Sequence, residues 1–225
     1  MRRKSRNRRI HTCLLILSLL AVFLTGCGGS AAEQGKNKDG AGGQIPRIEG
    51  LTYEKSVDFT YAECLEIYQY EGGYALVDIL DDARYLIVPE GGSVPENLDE
   101  EITVIQQPAN NIYLGATAVM SLFDAIDALD HISMTSLRAS DWTVENAAAR
   151  MKQGKIVYAG KYSEPDYELI LEKNCQLAIK STMIYHTPDV KEMLEELGVP
   201  VLVDRSSYES NPLGRTEWIK LYGVL

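Results

Sequence analysis

Residues 155–205 read KIVYAGKYSEPDYELILEKNCQLAIKSTMIYHTPDVKEMLEELGVPVLVDR. Short apolar runs alternate here with longer stretches of helical spacing. Lys155–Tyr158, Leu177–Ile179 and Val199–Val203 read as strands, while Pro165–Lys173 and Pro188–Leu197 read as helices. Asp189 and Glu192 fall in the first turn of the second helix, and Gly198 follows its end. Strand and helix in alternation predict a parallel sheet with helices on its faces.

The pattern extends both ways. Upstream, Ile132–Thr135 reads as a further strand and Thr143–Gln153 as a further helix. Asn111–Leu129, with Ile112, Leu114, Ala118, Met120, Leu122, Ala125, Ile126 and Leu129 apolar, predicts a helix. Downstream, Asn211 is placed to cap a helix opened by Pro212. Trp218, Ile219, Leu221, Tyr222, Val224 and Leu225 continue its apolar face to the last residue. An apolar face still running at the end predicts a reading frame that goes on beyond codon 225.

Residues 51–107 have a different period. Residues 59–80 alternate and are broken at Glu71-Gly72-Gly73, a hairpin signal. Further strands are expected at Arg84–Val88 and Ile102–Gln106. The expected fold class is therefore α/β: an antiparallel β-hairpin region (51–107), then a parallel sheet flanked by helices (108–225).

The amino-terminal segment has the order of an export signal. Arg2, Arg3, Lys4, Arg6, Arg8 and Arg9 precede an apolar run from Cys13 to Leu24. About a dozen apolar residues are too few to span a ~30 Å hydrocarbon core with ease, so cleavage fits better than a permanent helix. Leu24-Thr25-Gly26-Cys27 resembles a bacterial lipobox. It implies a signal peptide over 1–26 and lipid on Cys27, anchoring the chain to the extracytoplasmic face of the cell membrane. Two or three acyl chains hold firmly, at ~0.8 kcal/mol per buried CH₂. Residues 27–50, rich in Gly, Ala, Lys, Gln and Asn, read as a flexible stalk.

The 225-residue chain carries a formal charge of −10. Loss of the signal removes six basic residues, leaving 16 Lys+Arg against 32 Asp+Glu, a charge of −16. Such a surface repels nucleic acid, which sets that partner aside. Beyond Cys13 and Cys27, Cys64 and Cys175 read as buried free thiols, with a disulfide between them the alternative.

Ligands of open parallel sheets bind beyond the carboxyl ends of the strands. The residues placed there include Tyr158, Tyr162, Ser181, Met183, Tyr185, Arg205 and Tyr208. Aromatic faces, hydroxyls and a cation suit a bulky, flat or anionic ligand. Tyr185 and His186 are weak candidates for iron ligation. The chain contains no G-x-S-x-G, P-loop or H-E-x-x-H motif, and no spacing resembles a zinc site. No enzymatic activity and no intrinsic cofactor are expected.

The stretch from Ile156 to Leu225 resembles the substrate-binding proteins of iron-complex and cobalamin ABC transporters, most specifically over Pro165–Ile179 and the PLGRTEWIK segment at Pro212–Lys220. The resemblance covers roughly residues 100–225. It implies one of two α/β lobes that in this family are joined by a long helix and hold a ferric siderophore, haem or cobalamin between them. It also implies docking on a membrane permease through a glutamate on each lobe. Glu168 matches the first-lobe position, and the second-lobe glutamate has no counterpart in this sequence. The expected role is a lipid-anchored solute-binding component that captures an iron complex for a permease. The alternatives are a sensing or interaction module of the same fold, a surface hydrolase, and a single lobe without binding of its own.

Overall fold

In the computed structural model, which describes residues 45–225, two five-stranded sheets account for most of the architecture. The expected signal peptide, Cys27 and most of the stalk lie outside the described residues. The first sheet contains β1 (Tyr53–Ser56), β2 (Leu65–Tyr70), β3 (Tyr74–Ile79), β4 (Ala83–Val88) and β5 (Ile102–Gln106), side by side in chain order. Gly72 (φ +81°) and Gly73 (φ +87°) make the β2–β3 turn, a backbone that side chains resist. Pairing is antiparallel from β1 through β4. β5 then runs parallel to β4, with Arg84 opposite Ile102 and Val88 opposite Gln106.

The second sheet is wholly parallel. It contains β6 (Ile112–Leu114), β7 (Ile132–Thr135), β8 (Val157–Tyr158), β11 (Ala178–Ser181) and β12 (Val201–Asp204), in the order β12-β11-β6-β7-β8. Between β8 and β11, β9 (Gly160–Lys161) and β10 (Glu164–Pro165) form a small antiparallel hairpin. The helices are α1 (Met120–Ala125), α2 (Glu145–Lys152), α3 (Tyr167–Glu172), α4 (Pro188–Glu196), α5 (Pro212–Glu217) and α6 (Ile219–Tyr222). The α/β class, with an antiparallel region preceding a helix-flanked parallel sheet, is as the residue pattern indicates.

Two helical expectations are corrected. Residues 111–129 do not form one helix: Ile112–Leu114 is the central strand β6, and helix begins only at Met120 after a 3-10 turn at Thr117–Val119. Ile112, Tyr113 and Leu114 are all fully buried. A continuously apolar run has no face to distinguish it from a buried helix segment, and burial at about 1.5–3 kcal/mol per large side chain overrides local preference. The final helix is likewise interrupted at Trp218 and capped at Gly223. Asn211 does accept from the Leu213 N–H at 2.9 Å, with Pro212 at the first helical position.

The two sheets share a core. Ile67, Val77, Ile79 and Ile87 of the first meet Ile112, Leu114, Ile179 and Leu202 of the second, with Phe123, Trp218 and Leu221 closing the space. The other face of the parallel sheet packs Ala178, Val201 and Val203 under Ile170 of α3 and Leu194 of α4.

Candidate functional site

In the strand order β12-β11-β6-β7-β8, successive strands step outward from β6 to β8, and the chain then returns to place β11 on the other side of β6. The order therefore reverses between β6 and β11. That reversal is the topological switch point, the place of the crevice in which open α/β sheets bind ligands. Gly115 follows β6 and Ser181 ends β11, so these two residues mark the crevice.

The structure distributes the sequence-derived candidates into three groups along this edge. Beyond β8, the Arg138 guanidinium stands 4.3 Å over the Tyr158 ring, a cation–π pair. At the crevice, the Tyr162 hydroxyl donates to the Ser181 carbonyl at 3.2 Å, so the β9–β10 hairpin folds over the end of β11. Beyond β11 and β12, Tyr185, Arg205 and Tyr208 gather with the β3–β4 turn. The Tyr185 hydroxyl donates to the Asp82 carboxylate, and Arg205 Nη1 donates to the Leu80 carbonyl at 3.0 Å. The Arg205 guanidinium also lies 5.0 Å over the Tyr208 ring. Tyr185 and Arg205 are thus engaged by their own chain.

Met183 (57% exposed), Tyr185 (46%) and Tyr208 (59%) present apolar surface at this rim. His186 is exposed beside Tyr185. Burial and the Asp82 carboxylate push the Tyr185 phenol up, and burial does the same to Tyr162. Both shifts raise the cost of the phenolate form that ferric iron prefers. Among the described residues, no three His, Cys, Asp or Glu side chains converge on a metal-sized space. Glu168 is exposed in the first turn of α3, whose N-terminus Asp166 caps by accepting from the Leu169 N–H at 3.0 Å.

Lys180 stands out at the crevice although it is not among the candidates that the sequence singles out. It is fully buried, with Nζ 4.3 Å from the Tyr113 ring and 4.8 Å from the Tyr162 ring. Among the described residues no carboxylate lies within ion-pairing distance, and the one hydrogen bond is a 3.5 Å contact to the Tyr162 carbonyl. Burial lowers its amine to about 7, with Cys175 opposing weakly. A basic residue in an otherwise apolar strand was the available signal.

The PLGRTEWIK segment turns out to hold the chain's own backbone. Glu217 accepts from the N–H groups of Thr60, Tyr61 and Ala62 at 2.7–3.0 Å. Glu209 accepts from Glu63 at 2.7 Å, from Cys64 at 3.1 Å and from Trp218 Nε1 at 2.8 Å. Five consecutive backbone donors, 60–64, therefore end on two glutamates. Cys64 and Cys175 are both free, partly buried thiols, and burial pushes Cys175 up to about 11.

Two polar concavities lie away from this edge. One, of about 340 Å³, is lined by Asp124, Asp127, Asn146, Arg150 and Lys155 near the amino ends of β7 and β8. The other, of about 270 Å³, lies among Lys55, Tyr74, Gln107 and Val224. Tyr70 and Tyr74 line the second, but neither concavity gathers a buried charged group as the carboxyl edge does.

No family profile matches the chain. It is similar to two uncharacterized lipoproteins of Methanocaldococcus jannaschii. To MJ0878 it is 24% identical over 153 residues, covering 63% of this chain and 36% of that protein. To MJ0872 it is 28% identical over 167 residues, covering 71% of this chain and 41% of that protein. The chain thus spans about two-fifths of the length of these relatives. Among the described residues, no helix is long and apolar enough to cross a membrane.

Proposed function

We propose that this chain is the lipid-anchored, solute-binding part of an importer, capturing a ferric siderophore, haem or related iron complex outside the cell for a membrane permease. The anchor is Cys27, and the lipoprotein names of the two relatives support it. The observation that carries the binding reading is the reversal of strand order between β6 and β11 at the carboxyl edge of the parallel sheet, where Tyr162 meets Ser181, with Tyr158 and Tyr185 further along the same edge on either side. Capture and delivery need no covalent chemistry, and iron enters as cargo. Glu168, exposed on α3, is the proposed permease contact of this lobe.

The test is titration of the full chain with a panel of ferric siderophores and haemin, read by fluorescence of Trp142 and Trp218. Quenching at micromolar concentration or below, roughly −8 kcal/mol, is expected. Flat titrations across the panel overturn the reading.

A second reading has its own support. The β3–β4 turn occupies Tyr185 and Arg205 in the chain itself. Such self-engagement suits a sensing or interaction module, in which a partner displaces the turn. A gene neighbourhood with a sensor kinase and no permease would favour it.

A further inference from the structure

We propose that Lys180 and Tyr113 form an anion-receiving site beneath Tyr162, and that it anchors a carboxylate or catecholate oxygen of the bound solute. The inference rests on the solute-binding reading and adds the chemical class of group received and the residues that receive it.

The argument starts from register. Ala178 and Ile179 of β11 lie opposite Tyr113 and Leu114 of β6, which sets Lys180 beside Gly115 at the crevice. A Cβ on Gly115 would meet Lys180 Cδ at 2.9 Å, so the glycine makes the room through which the lysine stem passes. Tyr113 and Lys180 share one face of the sheet, and the half-buried Tyr162 covers them.

Both groups are left with hydrogen-bonding capacity unused. The Tyr113 hydroxyl is buried with no partner among the described residues. Lys180 has three N–H donors and only the 3.5 Å contact to Tyr162. More than nine-tenths of buried polar groups in folded proteins are satisfied, so two neighbouring donors without acceptors call for an acceptor from outside. The titratable groups around them are Tyr158, Tyr162, Tyr167 and Cys175, none of them a carboxylate, and burial pushes Tyr162, Tyr167 and Cys175 up. With no carboxylate supplied by the described residues, the missing partner is an anionic oxygen. A lysine between two aromatic rings accommodates the edge of a flat anion as well as a compact carboxylate.

Access runs through Tyr162. Its hydroxyl is held by a single hydrogen bond to the Ser181 carbonyl, on a hairpin of two-residue strands. Breaking that bond lets the ring swing away from Nζ without disturbing the parallel sheet.

The experiment is calorimetric titration of the full chain with citrate, 2,3-dihydroxybenzoate and their ferric complexes at pH 8, in two buffers of different ionisation enthalpy. The expected result is binding with uptake of about one proton per site, because an anion beside a neutral amine draws a proton onto it. Lys180→Met should weaken binding at least about tenfold and abolish the uptake, and Tyr113→Phe should weaken it by a smaller factor. A thermal melt of each variant confirms folding. Equal binding by Lys180→Met, or binding without proton uptake, overturns the site while leaving solute binding standing. No binding of any probe by the parent chain overturns both.

Discussion

The Tyr85 hydroxyl donates to the Val201 carbonyl at 3.1 Å and accepts from the Val203 N–H at 3.3 Å. β12 is an edge of the parallel sheet, and edges expose unpaired backbone groups. One side chain from the other sheet supplies the donor and acceptor that a neighbouring strand would bring. Burial pushes the phenol up, which keeps its proton in place for donation. Tyr85→Phe keeps the ring and orphans both backbone groups, so it should lose about 1–3 kcal/mol in urea unfolding, with an unchanged denaturant slope. A midpoint equal to that of the parent chain would show that water or a shifted strand satisfies the edge.

Glu217 gives a pH dependence. Burial pushes its carboxyl up, but the N–H groups of Thr60, Tyr61 and Ala62, together with Lys220, outweigh burial and bring it down to about 2. A carboxylate depressed from its ordinary 4.5 stabilises the fold fully above about 4.5, and loses that contribution as pH falls towards 2. Glu217→Gln should therefore cost about 2–3 kcal/mol at pH 7, from hydrogen bonds to a charged acceptor. The gap between variant and parent should narrow as pH falls to 3. A gap that stays constant with pH would mean that the amide's lost geometry, not the charge, sets the cost.

Gly214 is the point at which that clasp touches the chain. A Cβ there would lie 2.9 Å from the Tyr61 carbonyl, 3.1 Å from Glu209 Oε2 and 3.2 Å from Ala62 Cα. Two of those contacts are backbone, which cannot rotate aside. Gly214→Ala should destabilise by about 1–3 kcal/mol and speed amide exchange at residues 60–64. Unchanged exchange there would separate Gly214 from the clasp.

Much of this architecture is legible in the residues because local pattern and tertiary role agree. The glycine turn at 71–73, the Pro188 helix and the strands of 155–205 fall where alternation and helical spacing put them. β6 does not, because a fully buried strand and a buried helix have the same hydrophobicity. The site divides along the same line. Tyr162 and Ser181 meet at the crevice because both simply follow strand ends. Glu209, Glu217 and Tyr85 act on segments 116–157 residues away in sequence, a relationship no spacing rule encodes. Lys180 was visible as a lysine, but its isolation from the carboxylates of the described residues depends on which strands flank β11.

That isolation yields the last prediction. Burial brings the Lys180 amine to about 7 from an ordinary 10.5. Below pH 7 both folded and unfolded chains hold the proton, and the folded state bears the whole cost of the buried charge. Between about 7 and 10.5 the unfolded chain holds a proton that the folded chain has released, so stability rises with pH. Above 10.5 both are neutral and the cost is gone. Lys180→Met fills a similar volume without charge, so it should stabilise the ligand-free chain by about 1–3 kcal/mol at pH 6. The advantage should shrink steadily as pH is raised through 7 towards 10. Measuring the difference between the two chains cancels the alkaline titration of the tyrosines and thiols they share. If Lys180→Met is less stable than the parent at pH 6, the ammonium is paired in solution and the amine is not held neutral. If it is more stable yet binds anions less well, the chain gives up stability at this position in exchange for a binding group.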